Sequence, residues 1–507
     1  MSRTSKRRGR RPRNDRLPVM KWRRVTNPYP PIEVLSADQL EAIHLTSLRV
    51  LSEIGMKVLS PDARRLYANA GADVDHDNAL VRFDPAMIEE LVAKAPPEFT
   101  VRARNPEKSI HFGANHINFA PVGGPSFVSD LDRGRRAGTY AEFCDFLRLV
   151  HSLDVIHIGG AGVFEPMDLP AESRHLDRYY AAITLHDKIW SASLLGGFRA
   201  RDGVEMAKIV HGMNDEDLTT QPVILGNINT NSPRQLDGNM SDGLTILASL
   251  GQPVVVTPFT LLGAMAPATV AGALTQQNAE ALAGIALTQI VNPGVPVVYG
   301  GFTSNVDMKT GSPAFGTPEY IAATQAGGQL ARRYNLPYRS SNTNASNVVD
   351  AQAAYESVMS LWAAIMGHTN LVNHAAGWLE GGLVASFEKL IVDADLLQMM
   401  SQYLQPVVVD EDTLAFDAIA EVDAGGHFFG AAHTLQRYEN AFYQPLVSDW
   451  RNFETWAEDG ALTATQRANT VWKQLLSRYE QPKIDPATDE ALRDYIARRK
   501  RELPPGV

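Results

Sequence analysis

Between about residues 115 and 405 the sequence repeats one alternation roughly eight times. A short apolar or β-branched run is followed by a glycine or polar turn, and then by an amphipathic stretch of roughly 12–20 residues. Continuous apolar runs such as Val254-Val-Val indicate strands buried on both faces of a parallel sheet. Eight such strands, each followed by a helix, predict an α/β fold of the TIM (β/α)₈ barrel class.

The alternation defines both sets of elements. The candidate strands are Ile117-Asn-Phe-Ala-Pro, Val155-Ile-His-Ile-Gly-Gly, Ile189-Trp-Ser-Ala-Ser, Val223-Ile-Leu-Gly-Asn-Ile-Asn, Val254-Val-Val-Thr-Pro-Phe, Val295-Pro-Val-Val-Tyr-Gly, Tyr338-Arg-Ser-Ser-Asn and Leu371-Val-Asn-His-Ala-Ala. The candidate helices include Ala171–His186, Pro233–Ser249, Asn278–Val291, Pro318–Tyr334, Ala351–Gly367 and Phe387–Leu404. A doubly wound open sheet is the competing architecture, but no Gly-x-Gly-x-x-Gly follows the first strand.

Three further regions flank the predicted barrel (115–405). Residues 1–28 form a basic arm that we expect to be disordered, and residues 29–114 an N-terminal helical cap. The first helix of the cap is predicted to begin at Ser36, because Ser36 followed three residues later by Gln39 fits a helix capping box. Residues 406–507 are expected to be a C-terminal extension packed on the barrel.

The charge is distributed unevenly along the chain. Residues 1–24 hold eleven Lys and Arg but one Asp, whereas the other 36 basic and 56 acidic residues give the body a net charge of −20. We expect a solvated arm; contact with nucleic acid or an acidic partner surface is the alternative. Because there is no apolar run of membrane-spanning length and only one cysteine, Cys144, we predict a cytoplasmic protein without disulfides.

The predicted strand ends lack the groups that common barrel enzymes use. No strand ends in a lysine for a Schiff base or in a pair of carboxylates for glycoside hydrolysis. No cysteine and histidine cluster has zinc spacing, and there is no nucleophile elbow or P-loop. We therefore assign no catalytic residue and no metal site, and expect a cofactor to supply the difficult chemistry.

An ordered set of short motifs resembles the trimethylamine methyltransferase family, whose members without pyrrolysine include glycine betaine methyltransferases. The motifs are Phe119-Ala-Pro-Val-Gly-Gly-Pro, Val128-Ser-Asp-Leu-Asp-Arg-Gly-Arg-Arg, Gly316-Thr-Pro-Glu, Leu336-Pro, Asp350-Ala-Gln, Glu380-Gly-Gly-Leu, Ser386-Phe-Glu-Lys-Leu-Ile-Val-Asp-Ala-Asp and Gly425-Gly-His-Phe-Phe-Gly-Ala-Ala-His-Thr. The resemblance implies a TIM barrel that passes a methyl group from a methylated amine to the Co(I) corrinoid of a cognate partner protein. The corrinoid (cobalamin) would be carried by that partner and not bound tightly by this chain.

Pyrrolysine distinguishes the founding members of that family, which carry it in a loop shortly before Asp-Ala-Gln. The matching loop here, Ser341-Asn-Thr-Asn before Asp350-Ala-Gln, holds ordinary residues. A quaternary ammonium leaves as a neutral tertiary amine and needs no acid catalyst, whereas trimethylamine must be activated. The resemblance therefore implies a quaternary substrate, with glycine betaine first and trimethylamine second, and catalysis mainly by orientation, which can supply about 7–11 kcal/mol.

The chemistry of such a substrate selects candidate binding residues. A quaternary ammonium cannot form hydrogen bonds and favours aromatic faces, each contributing about 0.5–2 kcal/mol, whereas a carboxylate favours a guanidinium or several donors. The candidate substrate-binding residues are Phe259, Phe302, Tyr299, Arg339, Asn342, Asn344 and His374, with Trp378 behind the histidine. Those expected at the corrinoid and partner mouth are Gly159, Gly160, Gly300, Gly301 and His427. Packing in the barrel core, loop shaping or a surface ion pair is the alternative explanation for each.

Two other functions remain open from the sequence. A different TIM-barrel enzyme could bind a small cation and use one of the lone histidines. A binding protein could instead use the basic arm, with an inert barrel, and would show strongly salt-dependent binding. For the methyltransferase we expect a homo-oligomer with no membrane partner.

Overall fold

The computed structural model describes residues 17–503, and its centre is a mostly parallel sheet. Seven parallel strands lie side by side, and a short antiparallel strand, Val25–Thr26, pairs with the first of them. In spatial order the parallel strands are His116–Pro121, Leu371–Ala376, Tyr338–Ser341, Val297–Gly300, Val254–Val256, Leu225–Ile228 and Ser191–Ser193. Helices separate most of these strands along the chain, so the predicted α/β class is confirmed.

The candidate strand at Val155 is reduced to a single bridge. Ile158 forms an isolated parallel bridge with Ile189. On one side, the backbone N–H of His157 donates to the carbonyl of Phe119 (2.9 Å). On the other side, the backbone N–H of Gly159 donates to the carbonyl of Ile189 (2.7 Å). The segment therefore lies between the two outer parallel strands and is hydrogen-bonded to both.

The outer helices start at strong sequence signals. Thr139 forms a capping box with Glu142, and Thr317 and Asp350 each accept a backbone N–H at the start of their helices. These helices are Tyr140–Ser152, Arg174–Leu185, Gly197–His211, Asp215–Thr220, Gly238–Ser249, Val270–Val291, Pro318–Arg333, Ala351–Met366 and Phe387–Tyr403. Helix Val270–Val291 begins eight residues before the predicted Asn278, because Thr269 caps it and its apolar residues are buried on all sides.

The N-terminal region packs over these helices as a mixed layer. Its helices are Ala37–Arg49, the π-helix Val50–Ile54, Pro61–Asn69 and Pro85–Val92, and its strands are Met56–Val58, Asp73–Asp75, Leu80–Arg82, Phe99–Val101 and Ile110–Phe112. The predicted capping box of Ser36 and Gln39 is present. The buried hydroxyl of Tyr67 donates to the carbonyl of Ala283 (2.8 Å), which attaches this layer to helix Val270–Val291.

Residues 17–28, which we expected to belong to the basic arm, are packed on the body. Val25 and Asn27 are buried, Met20 donates its backbone N–H to the Gln398 side chain (2.7 Å), and Arg23 donates to the carbonyl of Ser401 (2.7 Å). Trp22 packs on an apolar cluster to which most of the central strands contribute. We call residues 17–28 the strap; the rest of the predicted arm, residues 1–16, lies outside the described residues.

Two small sheets lie beyond the carboxyl ends of the parallel strands. The first joins Phe259–Leu262, Phe302–Val306 and Pro313–Ala314; the second joins Trp378–Leu379, Val384–Ser386, Phe127–Asp130 and Gly134–Ala137. Parallel pairing in the first sheet sets Phe259 directly opposite Phe302. These additions build walls above the central sheet.

Two helices of the C-terminal region pack on the body. Helix Ala464–Ser477 lies on helix Phe387–Tyr403, where the rings of Trp472 and Phe387 are 5.1 Å apart. Helix Pro486–Glu502 is anchored where Tyr495 donates to buried Asp202 (2.7 Å). Shorter helices precede them: Glu411–Leu414, Phe416–Glu421, Phe428–Gly430, Ala432–Arg437 and Phe453–Glu458. In residues 17–503, no helix has both the length and the apolar character needed to cross a membrane.

Candidate active site

A cavity of about 730 Å³ opens above the carboxyl ends of the parallel strands. Its lining combines aromatic side chains, asparagines, two arginines and glycines, as is typical of ligand sites in such sheets. The lining includes Gly123, Gly124, Gly160, Gly162, Glu165, Arg178, Asn227, Asn229, Thr230, Ser232, Phe259, Phe302, Arg339, His374, Trp378, Gly381 and Gly382.

Three aromatic side chains form one wall of this cavity. The ring of Phe302 lies 4.9 Å from that of Phe259 and 6.1 Å from that of Trp378, measured between ring centres. The Trp378 indole donates to the backbone carbonyl of Asn344 (3.2 Å), which fixes its orientation. The wall therefore presents fixed aromatic faces to a ligand.

Arg339 brings a buried positive charge to the same wall. Its side chain is 1% exposed, and its guanidinium carbon lies 5.2 Å from the centre of the Phe302 ring. It donates to the carbonyl of Gly301 (3.3 Å), but its Nε has no partner, and no acidic side chain within residues 17–503 pairs with it. Burial lowers the pKa of Arg339 to about 10, so the group stays cationic at neutral pH.

The other arginine of the lining, Arg178, is neutralised by its surroundings. It donates to the carboxylate of Glu165 and, from Nε, to the carbonyl of Ala161 (2.8 Å). Glu165 also lies 3.6 Å from Arg174. Arg339 is therefore the cavity arginine whose charge is left for a ligand to balance.

His374 contacts the aromatic wall from an irregular point of its strand. The pairing of strand Leu371–Ala376 shifts register around this residue, and His374 itself adopts φ +54°, a left-handed conformation that costs about 1–3 kcal/mol. Its ring lies 4.3 Å from that of Trp378, and its Nδ1 accepts the backbone N–H of Gly123 (3.1 Å). Burial, helped by the charge of Arg339, holds the pKa of His374 well below its ordinary value, so the imidazole is neutral and carries its proton on Nε2.

Another part of the lining is polar and is held from behind by a buried carboxylate. Glu280 accepts from the hydroxyls of Thr230 and Ser232 and from the backbone N–H of Arg234 (2.8 Å). Asn229 donates to the carbonyl of Thr257 (2.9 Å). Because its acceptors are occupied, Glu280 fixes the shape of the cavity without facing it.

Three predicted substrate-binding residues lie outside the cavity. The hydroxyl of Tyr299 bonds to Asn278 (3.0 Å) on the helix side of its strand. The amide of Asn342 donates to the carbonyl of Ala375 (3.0 Å), and that of Asn344 to Ala353 (2.9 Å). The structure therefore brings Phe259, Phe302, Arg339 and His374 together and places the other three in the surrounding framework.

The predicted mouth residues are also divided. Gly160 lines the cavity, but Gly159, Gly300 and Gly301 do not. A Cβ at Gly159 would lie 2.1 Å from the His186 ring, and one at Gly300 2.2 Å from Thr257 Oγ1, so these glycines allow strand packing. His427 lies on an exposed C-terminal segment outside the cavity lining.

Sequence reasoning missed the Arg178 and Glu165 pair. Arg178 lies on an outer helix, Arg174–Leu185, and no strand-end pattern points to it. Glu165 follows the Gly-Gly turn at Gly159, but its partner could be found only in three dimensions. Among residues 17–503, no group of three His, Cys, Asp or Glu side chains could hold a metal ion.

Comparison with known proteins decides the family. The family model described as trimethylamine methyltransferase matches residues 2–504. A glycine betaine methyltransferase of Desulfitobacterium hafniense (strain Y51) is 38% identical over 475 residues, which are 94% of this chain and 98% of that protein. The chain belongs to the trimethylamine methyltransferase family. It is a methyltransferase.

Other known proteins match most of this chain at lower identity. A trimethylamine methyltransferase of D. hafniense (strain DSM 10664 / DCB-2) is 28% identical over 92% of both chains. A trimethylamine methyltransferase of Methanosarcina barkeri is 26% identical over 90% of this chain and 92% of its own. The crystal structure of the M. barkeri monomethylamine methyltransferase gives a TM-score of 0.49 at 8% identity, over 92% of this chain and 88% of that one.

Proposed function

We propose that the protein transfers a methyl group from a quaternary amine that also carries a carboxylate to the Co(I) corrinoid of a partner protein. Glycine betaine is the first candidate substrate. The observation that carries the proposal is Arg339, a buried cation without an anionic partner in residues 17–503, on the aromatic wall of the cavity. A carboxylate would balance this charge, and a guanidinium binds it through two parallel hydrogen bonds.

The aromatic wall suits the other end of such a substrate. Phe259 and Trp378 stand beside Phe302, whose ring is already in contact with Arg339. A trimethylammonium group gains about 0.5–2 kcal/mol from each desolvated aromatic face. A zwitterion therefore satisfies both parts of the wall, whereas a simple cation such as trimethylamine in its protonated form would meet the like charge of Arg339.

The ionisable groups of the lining also favour a quaternary amine. His374 is held neutral, and Glu165 is paired with Arg178 and Arg174. Neither is poised to protonate a leaving amine, and a quaternary ammonium requires no protonation because a neutral tertiary amine departs. The residues of this chain would act by holding the methyl carbon in a fixed orientation, which supplies much of the rate in such displacements.

The methyl acceptor would enter the same cavity as a second substrate. A volume of about 730 Å³ is far larger than a small amine requires, and the lining includes six glycines. Positions without side chains leave room for a broad macrocycle to approach the amine. The corrinoid, carried by its own protein, supplies the nucleophilic metal; this chain supplies the positioned methyl donor.

We further propose that the central sheet closes into a (β/α)₈ barrel through residues 157–160, which would be its eighth strand. The hydrogen bonds of His157 to Phe119 and of Gly159 to Ile189 support this, because they bridge the two outer parallel strands. We place the reaction in the cytoplasm, where the single cysteine, Cys144, would remain reduced.

The test follows methylation of a Co(I) corrinoid protein by its absorbance change. Glycine betaine, choline and trimethylamine are compared, because choline keeps the trimethylammonium group and replaces the carboxylate with a hydroxyl. We expect turnover with glycine betaine and little with the other two. Arg339→Met should lower kcat/KM for glycine betaine by about 10- to 100-fold, the loss of one charged hydrogen-bonding partner. It should not lower kcat/KM for choline, whose cation then no longer meets a like charge.

Arg333→Met is the matched control, because Arg333 pairs with Glu41 outside the cavity. It should change neither substrate preference nor rate. Efficient turnover of trimethylamine by the wild type would overturn the proposed substrate class and keep the reaction. A failure of all three amines with a competent corrinoid protein would overturn the reaction itself.

A further inference from the structure

Residues 405–442 leave the body and return to the same helix. We call this C-terminal segment the arm; it is distinct from the basic residues 1–28. The chain departs after helix Phe387–Tyr403 and is fastened again where Tyr443 donates to the carbonyl of Asp395 (3.0 Å). Between these points lie four helices of three to six residues. Within the arm only Ala418 and Ala431 are buried. The arm therefore lacks a core that could stabilise it alone.

The arm exposes many large apolar side chains to solvent. Phe416, Phe429 and Phe442 are each more than three-quarters exposed. The full set is Val407, Val408, Val409, Leu414, Phe416, Ile419, Phe428, Phe429, Leu435, Tyr438 and Phe442. Phe428 and Phe429 belong to the motif Gly425–Thr434, which resembles a motif of the family and does not line the cavity. This many exposed large apolar side chains in one segment indicate an interface.

A second exposed apolar surface lies next to the point where the arm begins. Helix Ala351–Met366 exposes Tyr355, Val358, Met359 and Trp362, which share one helical face. The ring of Trp362 lies 5.8 Å from that of Tyr403, and Met399 is exposed one turn before Tyr403. We call these six side chains the helix patch. In the described part of one chain, the arm and the helix patch both remain exposed, so neither covers the other.

The charges of the two regions are complementary. The arm carries seven Asp and Glu residues and one Arg, so two arms would repel each other. The strap crosses the helix that bears Met399, with Arg23 bonded to Ser401, and it carries Lys21, Arg23 and Arg24 but no Asp or Glu. The helix patch is therefore bordered by a basic segment, which suits an acidic, apolar arm.

We propose that the arm of one protomer covers the helix patch of a second copy of this chain. Because each copy carries both surfaces, a two-fold arrangement satisfies both arms at once. A standard interface buries about 800 Å² per partner, and a single aromatic side chain can bury about 150–250 Å². The four phenylalanines of the arm, with Trp362 and Tyr403 opposite them, provide enough area for a stable dimer.

Light scattering coupled to size-exclusion chromatography, across a dilution series, tests this on the full chain. We expect the wild type to be a dimer or a multiple of one. Phe429→Asp on the arm and Trp362→Asp on the helix patch should each give monomers with unchanged circular dichroism. Met308→Asp is the control, since Met308 is 75% exposed but lies on neither surface, and it should leave the oligomer intact.

Cross-linking identifies the contact directly and does not depend on a variant that might be unstable. In a Cys144→Ser background, Phe429→Cys and Trp362→Cys chains are mixed, exchanged and treated with a short bismaleimide. A heterodimeric product between the two variants supports the proposal. A monomeric wild type or an oligomer that survives Trp362→Asp would overturn it. So would a Phe429→Asp variant that no longer binds the corrinoid protein but still forms the oligomer.

Discussion

The guanidinium of Arg339 lies over the ring of Phe302, with 5.2 Å between the guanidinium carbon and the ring centre, and both side chains line one cavity. The contact keeps a cation beside aromatic faces that would also attract the ammonium end of a substrate. Under the proposed function, the substrate offers its negative end to Arg339 and its positive end to the neighbouring faces. The proposal therefore predicts that the cavity selects zwitterions over simple cations.

The unpaired charge of Arg339 should make the folded protein less stable than it could be. Arg339→Met removes a buried cation and leaves no anionic partner behind, so we expect the free energy of unfolding to rise by about 1 kcal/mol or more while activity falls. Arg178→Met should instead lower the free energy of unfolding, because it removes the guanidinium that pairs with the Glu165 carboxylate. Urea denaturation measures both; a destabilised Arg339→Met would contradict the assignment of an unbalanced charge.

Gly382 should be required for the position of Trp378. It has φ +103°, and a Cβ there would lie 2.5 Å from Trp378 Cζ2, so Gly382→Ala must displace the indole. We expect kcat/KM to fall at least about tenfold, besides a backbone cost of about 1–3 kcal/mol. Gly71→Ala is the matched control, with φ +104° and no atom within 4 Å of the added Cβ. Gly71→Ala should lose the same backbone contribution to stability and keep full activity.

Several buried histidines should make the protein sensitive to mild acid. Burial lowers the pKa of His157 and His211 to about 4 and of His186 to about 3, and that of His374 also falls. Below pH 6.5 the unfolded chain binds protons that the folded chain does not, so stability is lost as the pH falls. His157, His186 and His211 should each cost about 2 kcal/mol between pH 7 and pH 5, as urea denaturation at the two values would show.

A single substitution supplies the control for that pH dependence. His211→Gln should reduce the loss between pH 7 and pH 5 by the share of one histidine, about 2 kcal/mol. An unfolding free energy that stays constant over this range would show that these imidazoles are charged in the folded protein.

The buried pair of Lys389 and Asp393 should hold the framework behind the cavity. Asp393 accepts the backbone N–H of Gly377 (2.9 Å) and the hydroxyl of Ser357 (3.1 Å), and Lys389 contacts both Asp393 and Ser357. Lys389→Met should lower stability by about 3–5 kcal/mol, because it leaves a buried carboxylate unpaired. Adding Asp393→Asn should recover much of that loss, since an amide oxygen still accepts from Gly377; no recovery would point to packing instead.

The alternation of apolar runs predicted the order of strands and helices well. Caps at Ser36, Thr139 and Asp350 act through contacts within a few residues, so local sequence suffices to find them. The candidate strand at Val155 forms only one bridge, because Gly159 and Gly160 end its extended backbone and Gly160 turns to φ +73°.

The candidate site was harder to predict because neighbouring side chains on a strand point to opposite faces. Tyr299 was chosen with its neighbours at the end of its strand, but its hydroxyl faces the helix layer and Asn278. Arg339 points into the cavity. Asn342 directly follows the same strand, but its side chain bonds to the backbone of the adjacent strand. His374 depends on a register shift that no local pattern announces.

The strap also bears on how the chain is made. Met20 and Arg23 are fastened to Gln398 and Ser401, each across 378 residues of sequence. During synthesis these residues leave the ribosome well before their docking site, which does not exist until a further 378 residues have followed. Trp22 must therefore wait exposed while the sheet forms, and long-range closure of this kind is slow. A segment translated long before its docking site is thus among the last parts of the fold to pack.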